Sequence, residues 1–211
     1  MNIKCLSLSC NCYIVSDSDG NAVLFDPCER GQEIYEYIKE QGLLLCAVII
    51  THAHFDHIYG LSDLVCAAKN DGRDVPVYVH KDDAPAMRSR EKNLSSPLFG
   101  TPYEYTGILF ELSDTDAVKA GNITFRVVST PGHTVGSACY VNDEERVIFA
   151  GDVLFEGSIG RTDFPGGDMG KMKMSLEKLM EFNDSYRVYP GHGPSTTIGD
   201  ERNFNPYIAQ L

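Results

Sequence analysis

The chain reads as an α+β protein in which two β-sheets pack face to face with helices on the outside. Three observations predict this. Short β-branched and aromatic runs come in two groups, each rich in hairpin signals, with helical stretches between and after them. Four of these apolar runs, "VII", "FRVV", "RVIFA" and "RVY", lead into histidine or aspartate, so polar donors gather where strands end. Finally, 211 residues at 43% hydrophobic suit one domain, 1–211. A core of that size removes roughly 70% of the unfolded chain's surface from water.

The first group holds the strands "IKCLSL", "NCYIVSD" and "AVLFD". From Gly31 to Glu40 a helix is predicted, because Ile34, Tyr37 and Ile38 share a face at i, i+3, i+4 spacing. The strand "LCAVIIT" follows, since Val and Ile suit a pleated surface, and the polar loop after it turns helical. Leu61, Leu64, Val65 and Ala68 mark the stripe of the next helix, which stops near "NDG", and "VPVYVH" is a strand. Lys81 to Asp116 is poorly periodic, with several Pro and Gly, and predicts a short helix and an irregular loop. The second group opens with "AVKAGNITFRVVS", two strands joined by a Gly-Asn turn, and continues with the hairpin "SACYVND"/"ERVIFAGD". A helix from Met172 to Phe182 turns Met172, Leu176, Leu179 and Met180 inward; "YRVYPGHG" is the last strand and a short helix closes the chain.

Eighteen Lys and Arg against 30 Asp and Glu leave a net charge of −12. That balance disfavours nucleic acid as a partner, because the overall field repels polyanions. No window approaches 18 uncharged apolar residues, and the N-terminus lacks a leader-like apolar region, so a membrane partner is not expected. Seven cysteines, an odd number without a secretory signal, predict free thiols and a reducing cytoplasm. The "CNC" at Cys10 to Cys12 is readable as a thiolate metal clip or as a strand with buried cysteines, and its isolation favours the second.

In "VIITHAHFDHIYG", three histidines and an aspartate fall within six residues. Imidazole and carboxylate donors at a strand end are suited to holding zinc. Later strand ends add His133 in "STPGH", Asp152 in "FAGD" and His192 in "YPGH", each beside a glycine that lets the backbone turn tightly. Five of the six histidines therefore lie in these motifs; His80 is assigned a structural or surface role. Seven donors suit two divalent metals better than one, with Asp152 the natural bridging carboxylate, because a catalytic zinc takes three protein ligands and keeps an open position.

"THAHFDH", "TPGHTVGS", "FAGD" and "YPGHGP" resemble, in order, the metal motifs of the metallo-β-lactamase superfamily. Within it the chain resembles glyoxalase II (hydroxyacylglutathione hydrolase-like) proteins, and "GSIGRTDFPGGD" resembles their short single-domain bacterial branch. The resemblance implies an αββα sandwich of two mixed sheets, with its metals at the sheet edge. It implies that His52, His54 and His133 hold the first metal, that Asp56, His57 and His192 hold the second, and that Asp152 bridges. Asp56 and Asp152 become the catalytic carboxylates. The metals implied are two Zn²⁺, with Fe or Mn as alternatives.

Asp26 in "LFDP" matches a family acid that orients a ligand imidazole, though a turn cap before Pro27 explains it as well. Arg161 is a candidate anion contact or a loop residue. Three positions depart from the family pattern: Cys28, Tyr59 and Val135. Tyr59 is close enough in sequence to the donors to line the pocket. Full-length glyoxalase II binds glutathione through basic residues of an extra helical C-terminal region, whereas beyond Asn183 the only basic residues here are Arg187 and Arg202, which argues against glutathione specificity.

The expected activity is hydrolysis of a small-molecule thioester, S-lactoylglutathione or a smaller relative. A mono-iron persulfide dioxygenase using His52 or His54, His133 and Asp152 is the first alternative, and a lactonase the next. Phosphodiester cleavage fits poorly with the acidic charge, and a non-catalytic binding module would not need seven donors. Oligomeric state is not readable from the sequence.

Overall fold

The computed structural model describes residues 1–211. Strands β1 (Asn2–Ser7), β2 (Asn11–Ser16) and β3 (Asn21–Phe25) lead to helix α1 (Gly31–Glu40) and strand β4 (Leu44–Ile50). Helices α2 (Phe55–Ile58) and α3 (Leu61–Asn70), strand β5 (Val77–His80), helix α4 (Ala84–Met87) and strand β6 (Phe110–Leu112) follow. Then come β7 (Ala117–Ala120), β8 (Ile123–Ser129), β9 (Ala138–Asn142), β10 (Val147–Gly151) and the short pair β11 (Leu154–Phe155) and β12 (Ser158–Ile159). Helix α5 (Met169–Leu179), strands β13 (Arg187–Pro190) and β14 (Thr196–Thr197) and helix α6 (Ile198–Phe204) complete the order.

One six-stranded sheet runs β1-β2-β3-β4-β5-β6 and the other β14-β13-β10-β9-β8-β7. Both are mixed: β3, β4, β5 and β6 pair in parallel, as do β10 and β13, while the other neighbours are antiparallel. The expected αββα sandwich is therefore the observed fold.

Strand periodicity explains the layers, since alternate side chains point to opposite faces. In β2, Tyr13 and Val15 face the other sheet, whereas Cys12 and Ile14 face the outer helices. In β3, Val23 and Phe25 point inward, Ala22 and Leu24 outward. Strands buried on both faces read as continuous apolar runs, which is why "AVLF" and "AVII" show no alternation. Phe25 stacks on Phe149 from the opposite sheet at 4.2 Å and meets Phe125 edge-on at 5.1 Å. These rings fill the central layer. Ile34, Ile38, Leu61, Leu64 and Ala68 of α1 and α3 pack on one outer face, and Met172, Leu176 and Leu179 of α5 on the other.

Several expectations needed correction. Tyr35 is buried more deeply than Tyr37, because α1 packs on α3 as well as on its sheet, which widens its apolar stripe. Helix α5 begins three residues earlier than periodicity predicts, at an Asp168 cap whose Oδ1 accepts the Lys171 N–H at 3.0 Å. The Lys81–Asp116 segment contains a third feature, the edge strand β6, whose three residues depend on pairing with β5. The β11/β12 hairpin was also not expected. Cys10 and Cys12 are buried in the outer core, as the strand reading requires, and no helix is long and apolar enough to cross a membrane.

Candidate metal centre

All seven donors sit where strands end at one edge of the sandwich. His52 follows β4, His54 precedes α2, and α2 carries Asp56 and His57. Four residues beyond β8 lies His133; Asp152 immediately follows β10 and His192 is two beyond β13. Because β10 and β13 pair in parallel with Gly151 opposite Pro190, Asp152 and His192 leave the sheet side by side. The two sheets are laced together here: the Ala138 N–H donates to Thr51 O at 3.0 Å, and the Tyr140 hydroxyl to Ile50 O at 3.1 Å. Two glycines allow the approach. Gly151 has φ +48, and a Cβ there would lie 2.4 Å from Thr51 Oγ1. A Cβ on Gly191 would lie 2.2 Å from Asp152 Oδ1 and 2.6 Å from His57 Cε1. Side chains at either position would push the two halves of the cluster apart.

The donors converge in three overlapping groups, each with ligand atoms within 4.8 Å of one another: His52, His54 and His133; His52, His57 and Asp152; and Asp56, His57 and His192. His133 Nε2 is 3.6 Å and His192 Nε2 is 3.5 Å from Asp152 Oδ2, while His57 Nε2 is 3.4 Å from Asp152 Oδ1. His192 Nε2 and Asp56 Oδ2 are 3.3 Å apart. Two ligands on one tetrahedral zinc, each bonded at ~2.0–2.1 Å, stand about 3.3–3.4 Å apart, so this spacing suits donors around a cation. The buried Nε2 atoms of His52, His57 and His133, and Oδ1 of Asp152, have no hydrogen-bond partner. Orphaned polar atoms in a protein interior carry a desolvation penalty, and cations held by these groups would satisfy them.

The opposite nitrogens are anchored. His57 Nδ1 is 2.9 Å from Asp26 Oδ2, and Asp26 also accepts from Thr51 N–H at 2.8 Å and Thr51 Oγ1 at 2.7 Å. Asp26, whose backbone is left-handed (φ 50), therefore contacts His57 on the nitrogen facing away from the cluster. His133 Nδ1 lies 2.8 Å from the Arg161 carbonyl. Each partner takes Nδ1 and leaves Nε2 facing the cluster.

Burial, reinforced by neighbouring imidazoles, holds His52 well below the usual histidine range and brings His54 down to about 3. Both are therefore neutral and available as ligands. For His57, burial opposes charge, but the Asp152 and Asp26 carboxylates outweigh it and raise the pKa. His192 is raised by its contact with Asp56.

A model of the metallo-β-lactamase superfamily matches residues 7–192. The chain belongs to that superfamily. It is 31% identical to the hydroxyacylglutathione hydrolase GloC of Haemophilus influenzae, covering 99% of this chain and 98% of that protein. The crystal structure of the B3 metallo-β-lactamase BLEG-1 superposes with a TM-score of 0.89 at 34% identity, over 98% of this chain and 99% of the other. TTHA1623 in a di-iron-bound form gives 0.83 at 32% identity, over 98% and 100%. Superfamily fold and converging His/Asp groups together make this a metal-dependent hydrolase with a site fit for two metals.

In this superfamily member the donors open onto a cleft of about 560 Å³, lined on one side by His54, Asp56, His133, Asp152 and His192. Arg161 lines it too, but its guanidinium is engaged twice by Asp163 at 2.7 Å and lies 3.7 Å from the Phe164 ring. Tyr59 does not line it: the ring turns back onto Phe55 at 4.6 Å and Tyr103 at 5.9 Å, because α2 points it to the far side of the helical turn. His80 is structural, with Ser129 Oγ 2.8 Å from Nε2.

Asp83 was missed by sequence reasoning. Fully buried, it accepts from Ala53 N–H and Gly136 N–H at 2.8 Å and from Thr134 Oγ1 at 2.9 Å. It therefore ties the His52–His54 loop to the His133 loop. The adjacent acids in "HKDD" look like a solvated turn, and nothing in the spacing marks which one is buried.

Proposed function

We propose that the chain is a dinuclear metallohydrolase that cleaves thioesters, of the hydroxyacylglutathione hydrolase (glyoxalase II) type. The observation that carries this reading is the pair of ligand groups meeting at Asp152, with their inward atoms unpartnered. His52, His54 and His133 would hold one metal and Asp56, His57 and His192 the other, with Asp152 between them; zinc is the proposed metal. When bound, such a pair supplies a nucleophilic hydroxide at neutral pH and polarises an acyl carbonyl.

The chain's own residues do the rest. Asp26 and the Arg161 carbonyl fix the orientations of His57 and His133, and Asp83 fixes the spacing of the loops. Asp56 and Asp152 supply the negative charge that two cations require. Every histidine and carboxylate lining the cleft belongs to a ligand group, which leaves no free side-chain acid to protonate a departing amine. A thiolate needs none, since a cysteine-like thiol has a pKa near ~8.5 and leaves as the anion. Thioesters are therefore favoured over β-lactams. Similarity to the Haemophilus hydroxyacylglutathione hydrolase supports the same class.

The test is elemental analysis of the purified protein combined with kcat/KM for S-lactoylglutathione, a simple acyl thioester and a cephalosporin on one zinc-loaded preparation. Two metals per chain and faster thioester turnover are expected. Faster turnover of the cephalosporin than of both thioesters would overturn the thioester reading. A single tight iron with no second equivalent on titration would replace it with the mono-iron dioxygenase.

A further inference from the structure

We infer that the cleft beside the ligand groups is an acyl compartment, which selects thioesters carrying an extended apolar or aryl acyl group over short hydroxyacyl groups. The inference rests on the thioester reading above, keeps its metal centre and chemistry, and departs from the glyoxalase II type only in the acyl group preferred.

Six of its thirteen lining residues are hydrophobic. They are Leu94, Leu98, Phe99, Phe155, Ile159 and Phe164, brought together from the irregular segment after α4, the β11/β12 hairpin and the "GRTDF" loop. The apolar wall reaches the donors themselves. The Phe164 ring stands edge-on to His54 at 6.0 Å and the Phe155 ring to His192 at 6.3 Å. Leu98 and Phe99 remain 52% and 49% exposed at the mouth, although burial of such side chains is favourable. Apolar surface left uncovered next to a reactive centre is the usual makeup of a ligand-binding cleft.

The charges point the same way. Arg161 is the only lysine or arginine in the lining, and Asp163 already occupies its guanidinium. Beyond the donors, the cleft therefore offers an anionic substituent no unpaired side-chain cation. Ser158 supplies the sole side-chain hydroxyl, so a 2-hydroxyacyl group finds little to bond. A thioester held over the donors thus has its acyl group directed along this apolar wall.

The experiment uses the metal-loaded full chain and thioesters of the neutral thiol N-acetylcysteamine, with acetyl, butyryl, hexanoyl, octanoyl and lactoyl groups. kcat/KM should rise about three- to fourfold per added methylene until the cleft is full, the factor expected for burying one CH₂. Lactoyl should fall below butyryl. Phe99→Ala and Leu98→Ala should flatten the series, lowering octanoyl turnover far more than acetyl turnover. A parallel titration calorimetry arm compares the S-octyl and S-methyl thioethers of N-acetylcysteamine, which contain no bond to cut. Tighter binding of the octyl thioether, lost in Phe99→Ala, supports the compartment by a route independent of turnover. A flat series, lactoyl preferred to hexanoyl, or equal thioether binding would overturn the acyl compartment and leave the thioester reading standing. Retained octyl selectivity in binding, with no thioester hydrolysed, would instead overturn the thioester reading and keep the cleft as an apolar-group site.

Discussion

His52, His54 and His133 are 1%, 5% and 3% exposed, whereas the side chains of His192 and Asp56 are 39% and 24% exposed. The two candidate ligand groups differ equally in what holds them. The first hangs on loops that Asp83 ties together through three hydrogen bonds and on the Arg161 carbonyl behind His133. In the second, the buried support is the Asp26–His57 contact alone, and the other two donors are the more exposed ones. Outer partners raise ligand basicity and fix ring orientation, so the better-supported group should bind its metal more tightly. The second group should exchange first.

Asp152→Ala would break this comparison most completely, because Asp152 lies 3.4–3.6 Å from imidazoles of both groups. Activity should fall beyond the ~10–100-fold typical of losing an outer partner, with metal content reduced at both sites. His80→Ala, outside both groups, serves as the control. Wild-type activity and metal content in Asp152→Ala would remove its bridging role.

A second variant separates the groups. Asp26→Ala should weaken the second metal by roughly 10- to 100-fold and leave the first within a few-fold, read by competition with a chelator. Equal weakening of both sites, or of neither, would show that Asp26 serves the turn more than His57.

Asp83→Asn probes the first group. An amide keeps the side chain's shape but replaces one acceptor oxygen with a donor. Losing about 1.5–3 kcal/mol of charge-assisted hydrogen bonding should lower Tm by roughly 4–10 °C in a chain this long. Differential scanning calorimetry measures it, and metal retention at the first group should fall with it. An unchanged Tm would mean that the loops are held by packing.

Arg161→Ala carries the smallest expected effect, about twofold in kcat/KM. Its backbone carbonyl, which survives substitution, holds His133, and its side chain pairs with Asp163 in the open. A loss above tenfold would return Arg161 to the role of substrate contact.

Periodicity and donor chemistry are local properties, and they made much of the molecule legible. The paired strands around Gly121 and Asn122, the α3 stripe and the Met172–Leu176–Leu179 face all follow from spacing alone. So does the placing of donors after β4, β8, β10 and β13, since a polar residue that ends an apolar run must leave the sheet. Strand β6 was not legible, because "FEL" acquires its conformation from the β5 edge beside it. Nor was the fate of Tyr59: four residues of helix decide which way its ring points, and sequence distance from His57 says nothing of direction.

Residue types and their order by themselves determined that donors would gather at strand ends, that two layers of strands would bury a shared core, and that seven ligand-type side chains were present. Only the tertiary structure decided which of them meet. The register of β10 on β13 sets Asp152 beside His192, and the close approach at Gly151 and Gly191 brings the second sheet's donors against His57. It likewise chose Asp83 over Asp82 for burial, turned Phe164 toward His54 and set Phe99 in the wall of the cleft. The physical reason is that a donor's chemistry is carried by its own atoms. Its partners, its exposure and its distance from the next donor are properties of packing between segments far apart in the chain.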